Sequence, residues 1–307
     1  MKEVIKEKQL ESLRNKAKKL TYIVYILSAV SLPLYMWLFY IVMRQEEEIL
    51  TLFAVIKLVF VAVVLSIATL GLLWYVIVRH SYDHFNESFK SKYVVQTINK
   101  ISGFDKLQYV CESGFLWDEV RNAAVVACGD KKYYESEDLL FGEYENVRFK
   151  ISDVTTKKIV RRNKKSRIEE IFSGQIICLL QFDNTKVSKG HLQIFEKEFL
   201  SDMSGWKAEH KIHTENETFN SRFRIYADDA HNAYYILTPQ RMEKIMSFAD
   251  AVQYQVSLVF CDEKLFVAVK RESMFDAVVD EPISKQTEKI IEDAKLIQKA
   301  KEILIMS

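Results

Sequence analysis

Two uninterrupted apolar runs constrain this chain more than any other feature. Residues 20–43 carry no charged side chain, and neither do residues 58–78. At about 1.5 Å of rise per residue, helices over these runs would reach roughly 36 Å and 31 Å. A bilayer's hydrocarbon core is about 30 Å thick, so each run is long enough to cross it. We expect a two-helix transmembrane hairpin over residues 20–78, joined by a short polar break with Arg44, Glu46, Glu47 and Glu48. Pro33 should kink the first span, and Tyr22, Tyr25, Trp37 and Tyr40 lie near its ends, where amphipathic rings favour the interface. Lys57 precedes the clean second run and can snorkel to the headgroups. Ala62 and Ser66 form a small-xxx-small pair that would let the helices approach closely.

Lys and Arg flanking the spans set the expected orientation. Residues 1–19 hold seven, Lys2, Lys6, Lys8, Arg14, Lys16, Lys18 and Lys19, the break holds one, Arg44, and residues 79–100 hold four, Arg79, Lys90, Lys92 and Lys100. Both termini are therefore expected in the cytoplasm and the short loop outside. The first run is longer than a signal-peptide core and no small-residue cleavage site follows it, so it reads as a retained anchor. Residues 1–19 read as a charged N-terminal helix, a solvated extension of the first span. With a formal net charge of +1, no bulk field marks a nucleic-acid binder. Cys111, Cys128, Cys178 and Cys261 form no close-spaced pair, which fits reduced thiols better than a disulfide scaffold or a zinc site.

The second helix should continue inward as a juxtamembrane helix over 79–103. Tyr82, Phe85, Phe89 and Tyr93 recur there at three- and four-residue steps. His80 and His84 stand four apart, a spacing that can hold a metal with Asp83 or Glu87. No third ligand is identifiable, and no metal is assigned. Residues 104–281 read as a cytosolic α+β domain with a mainly antiparallel sheet. Residues 139–144 and 147–151 alternate like a hairpin about Glu145-Asn146. Strands are expected over 172–182, 192–195 and 219–226, and a closing hairpin pairs 256–260 with 265–269. Thr238-Pro239 is a helix start, since Thr caps and Pro suits the first helical position. That helix should run to about Asp250 and bury Met242, Ile245 and Met246. Residues 282–307 form an amphipathic C-terminal helix, either docked on the domain or making a short coiled-coil seam.

The densest charge cluster holds Lys157, Lys158, Arg161, Arg162, Lys164, Lys165 and Arg167 within eleven residues. It falls between two strands and is expected to be an exposed loop. Beneath an anionic leaflet each such residue contributes about 1 kcal/mol of attraction. No aromatic platform accompanies it, so nucleic acid is not the expected partner. The chain carries no P-loop, dinucleotide fingerprint, nucleophile elbow or zincin motif. Asp228 and Asp229 are adjacent carboxylates after a strand, which is ordinary turn chemistry, and His210 and His213 read as surface residues. No catalytic, cofactor-binding or metal-binding residue and no small-molecule substrate is assigned.

Glu137-Asp138 with Gly142, then Phe172-Ser173-Gly174, then Phe219 and 223–229 ending in Asp228-Asp229, make a recurring pattern. Its sharpest part is Ala233-Tyr234-Tyr235-Ile236-Leu237-Thr238-Pro239 with Met242-Glu243. In these residues the chain resembles the bacterial "domain of unknown function 3137" family of two-span membrane proteins. One departure is that the family usually has Arg where this chain has Tyr234. The resemblance implies a bacterial inner-membrane protein and supplies no activity. The leading expectation is a membrane-anchored non-enzymatic protein whose cytosolic domain binds a protein partner, a copy of itself included, or the anionic membrane surface. An oligomeric pore-forming or membrane-perturbing effector, motivated by Lys57 and Pro33, is the alternative. An enzyme on a membrane-proximal substrate, resting on Asp228/Asp229 and His80/His84, is the third.

Overall fold

The computed structural model describes residues 5–45, 52–162, 165–180, 190–202 and 208–304. The chain divides into two compact units, Met1–Tyr93 with Ala277–Gln286, and Val94–Asp276 with Thr287–Ser307. The Glu46–Glu48 break lies outside the described residues.

In the first unit, α1 (Glu7–Gln45) runs beside α2 (Leu52–Leu73). A π-turn over Trp74–Val78 leads to α3 (Arg79–Ser88), and a second over Phe89–Val94 leads to α4 (Val95–Ile98), which belongs to the second unit. The backbone therefore stays helical from Leu52 to Ile98, as the aromatic stripe predicted. Phe85, Phe89 and Tyr93 are buried, with ring centroids 6.1 Å and 6.0 Å apart in succession. Two helices are long and apolar enough to cross a membrane. Ile26, Val30, Phe60, Ile67 and Leu72 are exposed on their outer faces, and so is Lys57 near the start of α2.

The buried face of α1 repeats every seven residues through Leu10, Ala17, Val24 and Ser31, the spacing of a helix-pair seam. On α2 the expected small pair, Ala62 and Ser66, is buried. Hydroxyls then link the helices. Ser31 Oγ lies 3.3 Å from Ser66 Oγ, Ser28 Oγ donates to Ser66 O at 3.4 Å, and the Tyr35 and Thr69 hydroxyls are 2.8 Å apart. Such bonds hold helices together where apolar burial supplies no drive.

The N-terminal turns of α1 are not a solvated extension. Leu10 and Ala17 are fully buried and Arg14 is 8% exposed. Arg14 Nη1 donates to Val279 O at 2.6 Å, Ile283 N donates to Glu11 Oε2 at 3.3 Å, and Lys18 pairs with Asp280 at 3.2 Å. The Arg14 guanidinium also holds the Glu11 carboxyl below the usual range. The cationic helix is thus occupied by a returning segment of its own chain.

The second unit is built on a nine-stranded sheet. Its strands are β1 (Phe104–Val110), β2 (Glu135–Tyr144), β3 (Val147–Arg162), β4 (Lys165–Leu180), β5 (Leu192–Glu196), β6 (His210–Ile212), β7 (Phe223–Ala227), β8 (Val256–Cys261) and β9 (Lys264–Val269). Their order is β1-β2-β3-β4-β9-β8-β5-β7-β6, and every neighbouring pair is antiparallel. Both expected hairpins form. Their two-residue loops, Glu145-Asn146 and Asp262-Glu263, have positive φ at both positions, which matches the right-handed twist of the strands. Residues 219–222, expected as strand, differ from expectation. Asn216 accepts from Phe219 N at 2.9 Å and caps a short helix, so the strand begins only at Phe223.

The remaining helices are α5 (Trp117–Ala123), α6 (Glu217–Arg222), α7 (Ala230–Ile236), α8 (Pro239–Val252) and α9 (Ile283–Glu302). Thr238 caps α8 as expected, accepting from Arg241 N at 3.2 Å. In α8, Met242, Ile245 and Phe248 are buried. Val120, Val125, Phe172, Ile176, Phe195, Val259 and Phe266 form one core on a sheet face. Alternate residues Ile177, Leu179, Leu258 and Val267 are buried as well. Both faces are therefore covered, which explains the nearly unbroken apolar character of β8 and β9. From Thr287 onward α9 is part of this unit, with Ile290, Ala294 and Ile297 buried and Asp293 paired to Arg271. Of the two expectations for this helix, docking is the one realised. Buried Arg241 donates to Ile303 O at 3.2 Å and Ile236 O at 2.8 Å, satisfying terminal carbonyls of two helices.

The α1–α2 contact depends on a small side chain at position 62. Ala62→Leu should destabilise the helix pair by about 1–3 kcal/mol through overpacking, read as a lowered unfolding midpoint of the detergent-solubilised chain.

Candidate functional site

The expected basic loop is a corner of regular structure. Lys157, Lys158, Arg161 and Arg162 belong to β3, and Lys165 and Arg167 belong to β4. Lys164 lies outside the described residues. The two strands pair through Lys157↔Glu170, Lys158↔Glu169, Ile159↔Ile168, Val160↔Arg167, Arg161↔Ser166 and Arg162↔Lys165. A strand forms here because β-branched Ile159, Val160 and Ile168 favour it and cross-strand Lys–Glu partners reward it. The signal in the sequence was the near-mirror order of 157–170, basic then aliphatic then basic, returning through aliphatic to Glu169-Glu170.

This ribbon outruns the sheet on both sides. β2 stops opposite Thr155 and β9 stops opposite Gln175, so beyond those rows no other described strand pairs with β3 or β4. Asp130 closes the base of the exposed β3 edge, its N donating to Lys157 O at 2.9 Å and its Oδ2 accepting from Ile159 N at 2.9 Å. Charge is graded along the arm. Glu169 and Glu170 stand at its base, where Lys157 also reaches Glu135 at 3.1 Å and Glu169 pairs with Arg167. No acidic residue occurs from 159 to 168, where the remaining cations lie. Ile159 and Ile168, directly opposite one another on one face, are 43% and 52% exposed.

The motif residues have mostly architectural duties. Asp229 Oδ1 accepts from His231 N and Asn232 N at 2.9 Å and 3.4 Å and caps α7. Asp228 Oδ2 accepts from His191 N at 2.8 Å and lies 3.2 Å from His191 Nδ1. Tyr234 OH donates to His213 O at 3.2 Å, and Tyr234 and Tyr235 are exposed. Leu237 is buried, while Thr238 and Pro239 open α8. A Cβ on Gly142 would meet Leu107 and the Asp105 carbonyl oxygen, and one on Gly174 would lie 2.1 Å from Val269 O. His80 and His84 are exposed on α3, in the other unit. Among the described residues no group of three or more His, Cys, Asp or Glu is placed to hold a metal. A surface groove of about 540 Å³ is lined by Glu196, Arg222, Asp250 and Tyr254, among others, with Arg222 already paired to both carboxylates.

One cluster was not legible in the sequence. Glu137 is exposed, but Asp138, at the β2 bulge with φ 61°, is buried and accepts from the Tyr109 hydroxyl. Nearby, buried Asp153 of β3 accepts from Gln175 Nε2 at 2.5 Å and from Met274 N at 2.9 Å. Gln175 Nε2 also donates to Glu272 O at 2.8 Å, so one amide and one carboxylate pin the segment after β9 to the sheet. Burial pushes the Asp153 carboxyl up to about 7, with Asp138 and Asp276 adding to the rise and the two hydrogen bonds opposing it.

A carboxyl whose folded pKa lies above its unfolded value binds more protons folded than unfolded, so stability is lost as pH rises through that window. For Asp153 the window runs from about 4 to 7, with a slope of at most about 1.4 kcal/mol per pH unit. Asp153→Asn removes the titration. Its stability relative to the parent should improve as pH rises from about 5 to about 8, measured by denaturant unfolding of the full chain in detergent. Separately, Gly174→Ala forces a Cβ onto a backbone oxygen and should cost several kcal/mol.

No curated protein and no solved structure matches the chain. A family model described as "Protein of unknown function (DUF3137)" matches residues 170–304. The match begins within β4 and ends just past α9, so it includes Gly174, Asp228, Asp229, Tyr235, Leu237, Thr238 and Pro239. The two apolar helices, the tip of the arm and Glu137, Asp138 and Gly142 lie outside it. Over the larger part of its sheet unit, this chain resembles the DUF3137 family.

Proposed function

We propose that this is a membrane-anchored, non-enzymatic protein of the bacterial inner membrane whose sheet domain lies in the cytoplasm and binds an acidic protein or the anionic membrane surface through the β3–β4 arm. Two apolar helices with exposed apolar outer faces support the anchor, and the flanking Lys and Arg support the orientation. The observation that carries the binding reading is the charge gradient of the arm. Acidic partners balance Lys157, Lys158 and Arg167 towards its base, and no acidic residue stands opposite Arg161, Arg162 or Lys165 in the ribbon. A two-stranded ribbon is marginally stable in water, and one carried beyond its sheet with a concentrated cationic end suits recognition of negative charge better than packing. Of Asp228 and Asp229, the carboxylates behind an enzymatic reading, Asp228 accepts from the His191 backbone N–H before β5 and Asp229 from N–H groups of its own turn.

The test is charge reversal at exposed arm positions. Full-length protein in neutral-lipid nanodiscs should bind vesicles containing phosphatidylglycerol, or an acidic protein recovered by crosslinking through the arm. The combined Arg161→Glu, Lys165→Glu and Arg167→Glu variant should weaken that binding on the order of 100-fold. Unchanged binding would remove the arm from the function.

A further inference from the structure

We infer that the Ile159–Ile168 face of the arm is an insertion surface for an anionic lipid bilayer. This rests on the binding role proposed above and names the partner.

The first ground is the apolar pair itself. Ile159 and Ile168 are cross-strand partners, so their side chains project side by side from one face, each about half in water. Among the described residues of this unit, no other two exposed aliphatic side chains are cross-strand partners. Pairing two such residues contributes only about 0.2–1 kcal/mol to the ribbon, and about half of their surface stays in water.

The second ground is what surrounds the pair. On the same face the next row towards the tip is Arg161 with Ser166, and the next row towards the base is Lys157 with Glu170, where the two charges balance. Val160 and Arg167 share the other face, followed by the Arg162–Lys165 row. An aliphatic patch bordered by Arg and Lys is the composition of segments that lie at a membrane interface, with apolar groups among the acyl chains and cations at the phosphates.

The third ground separates lipid from nucleic acid. Residues 157–171 contain no aromatic side chain on which a base could stack, and phosphate contacts would leave the isoleucine pair without a role. Acidic protein surfaces offer charge without an acyl layer. Finally, a chain held by two membrane helices meets a bilayer at high effective concentration, so weak insertion suffices.

The test uses the full chain in phosphatidylcholine nanodiscs, with Cys111→Ser and Ser166→Cys carrying an environment-sensitive nitrobenzoxadiazole label. Cys128, Cys178 and Cys261 are buried, so the label reports on the arm. Vesicles of phosphatidylcholine with phosphatidylglycerol should raise and blue-shift its emission, and vesicles of phosphatidylcholine alone should not. The Ile159→Ser, Ile168→Ser double variant should lose roughly ten- to hundredfold in affinity for the anionic vesicles, with unchanged circular dichroism. Equal affinity of the double variant and no emission change would overturn insertion while leaving electrostatic binding intact. No vesicle binding by the parent would overturn insertion, and binding to an acidic protein alone would still satisfy the broader reading. Binding of an RNA oligonucleotide without any vesicle response would overturn both.

Discussion

The sheet is held together by a single ladder, β4 against β9, which runs from Gln175↔Val269 to Leu180↔Lys264. On one side lies the meander β1 to β4, and on the other the set β9, β8, β5, β7 and β6. The ladder needs Gly174 at its end, because the Val269 carbonyl oxygen occupies the space a Cβ would take. Just beyond, Gln175 and Asp153 catch the outgoing chain at Glu272 and Met274. Strand pairing, close approach and buried hydrogen bonding therefore coincide within a few residues. The arm is a by-product of the same geometry. β4 is sixteen residues long and β9 is six, so among the described strands more than half of β4 pairs with β3 alone.

That surplus strand length would be a liability if it were apolar, since free strand edges recruit other strands. Here it is strongly charged, and Asp130 occupies part of one edge. Charge on an edge serves solubility and recognition alike, but its distribution separates the two uses. A ribbon kept soluble by charge has no need to segregate acids to its base or to place two isoleucines opposite one another in water.

The helical unit follows different rules. Its seam uses small and hydroxylated side chains, and the hydroxyls satisfy one another across the pair. Its N-terminal turns are clamped by the returning segment 277–286 through Arg14, Glu11 and Lys18. Residues near the start of the chain and residues near its end thus meet within one compact unit, although a whole domain is translated between them.

Local physics made much of this legible. Apolar length alone marked the two helices, and the Ala62/Ser66 spacing marked their contact. Glu145-Asn146 and Thr238-Pro239 marked a turn and a cap, because loop length and cap chemistry act over a few residues. The arm was misread as a loop, since seven cations in eleven residues suppress the strand signal until the partner strand with Glu169 and Glu170 is in view. Phe219–Arg222 was misread as strand because Asn216 capping competes with alternation over the same short stretch. Asp153 looked like any strand carboxylate. The sequence by itself determined two membrane-length helices, antiparallel hairpins and a capped helix. Only the tertiary structure decided which strands outlive their neighbours, which carboxylates are buried and what the cationic N-terminus touches, because those outcomes depend on partners distant in the chain.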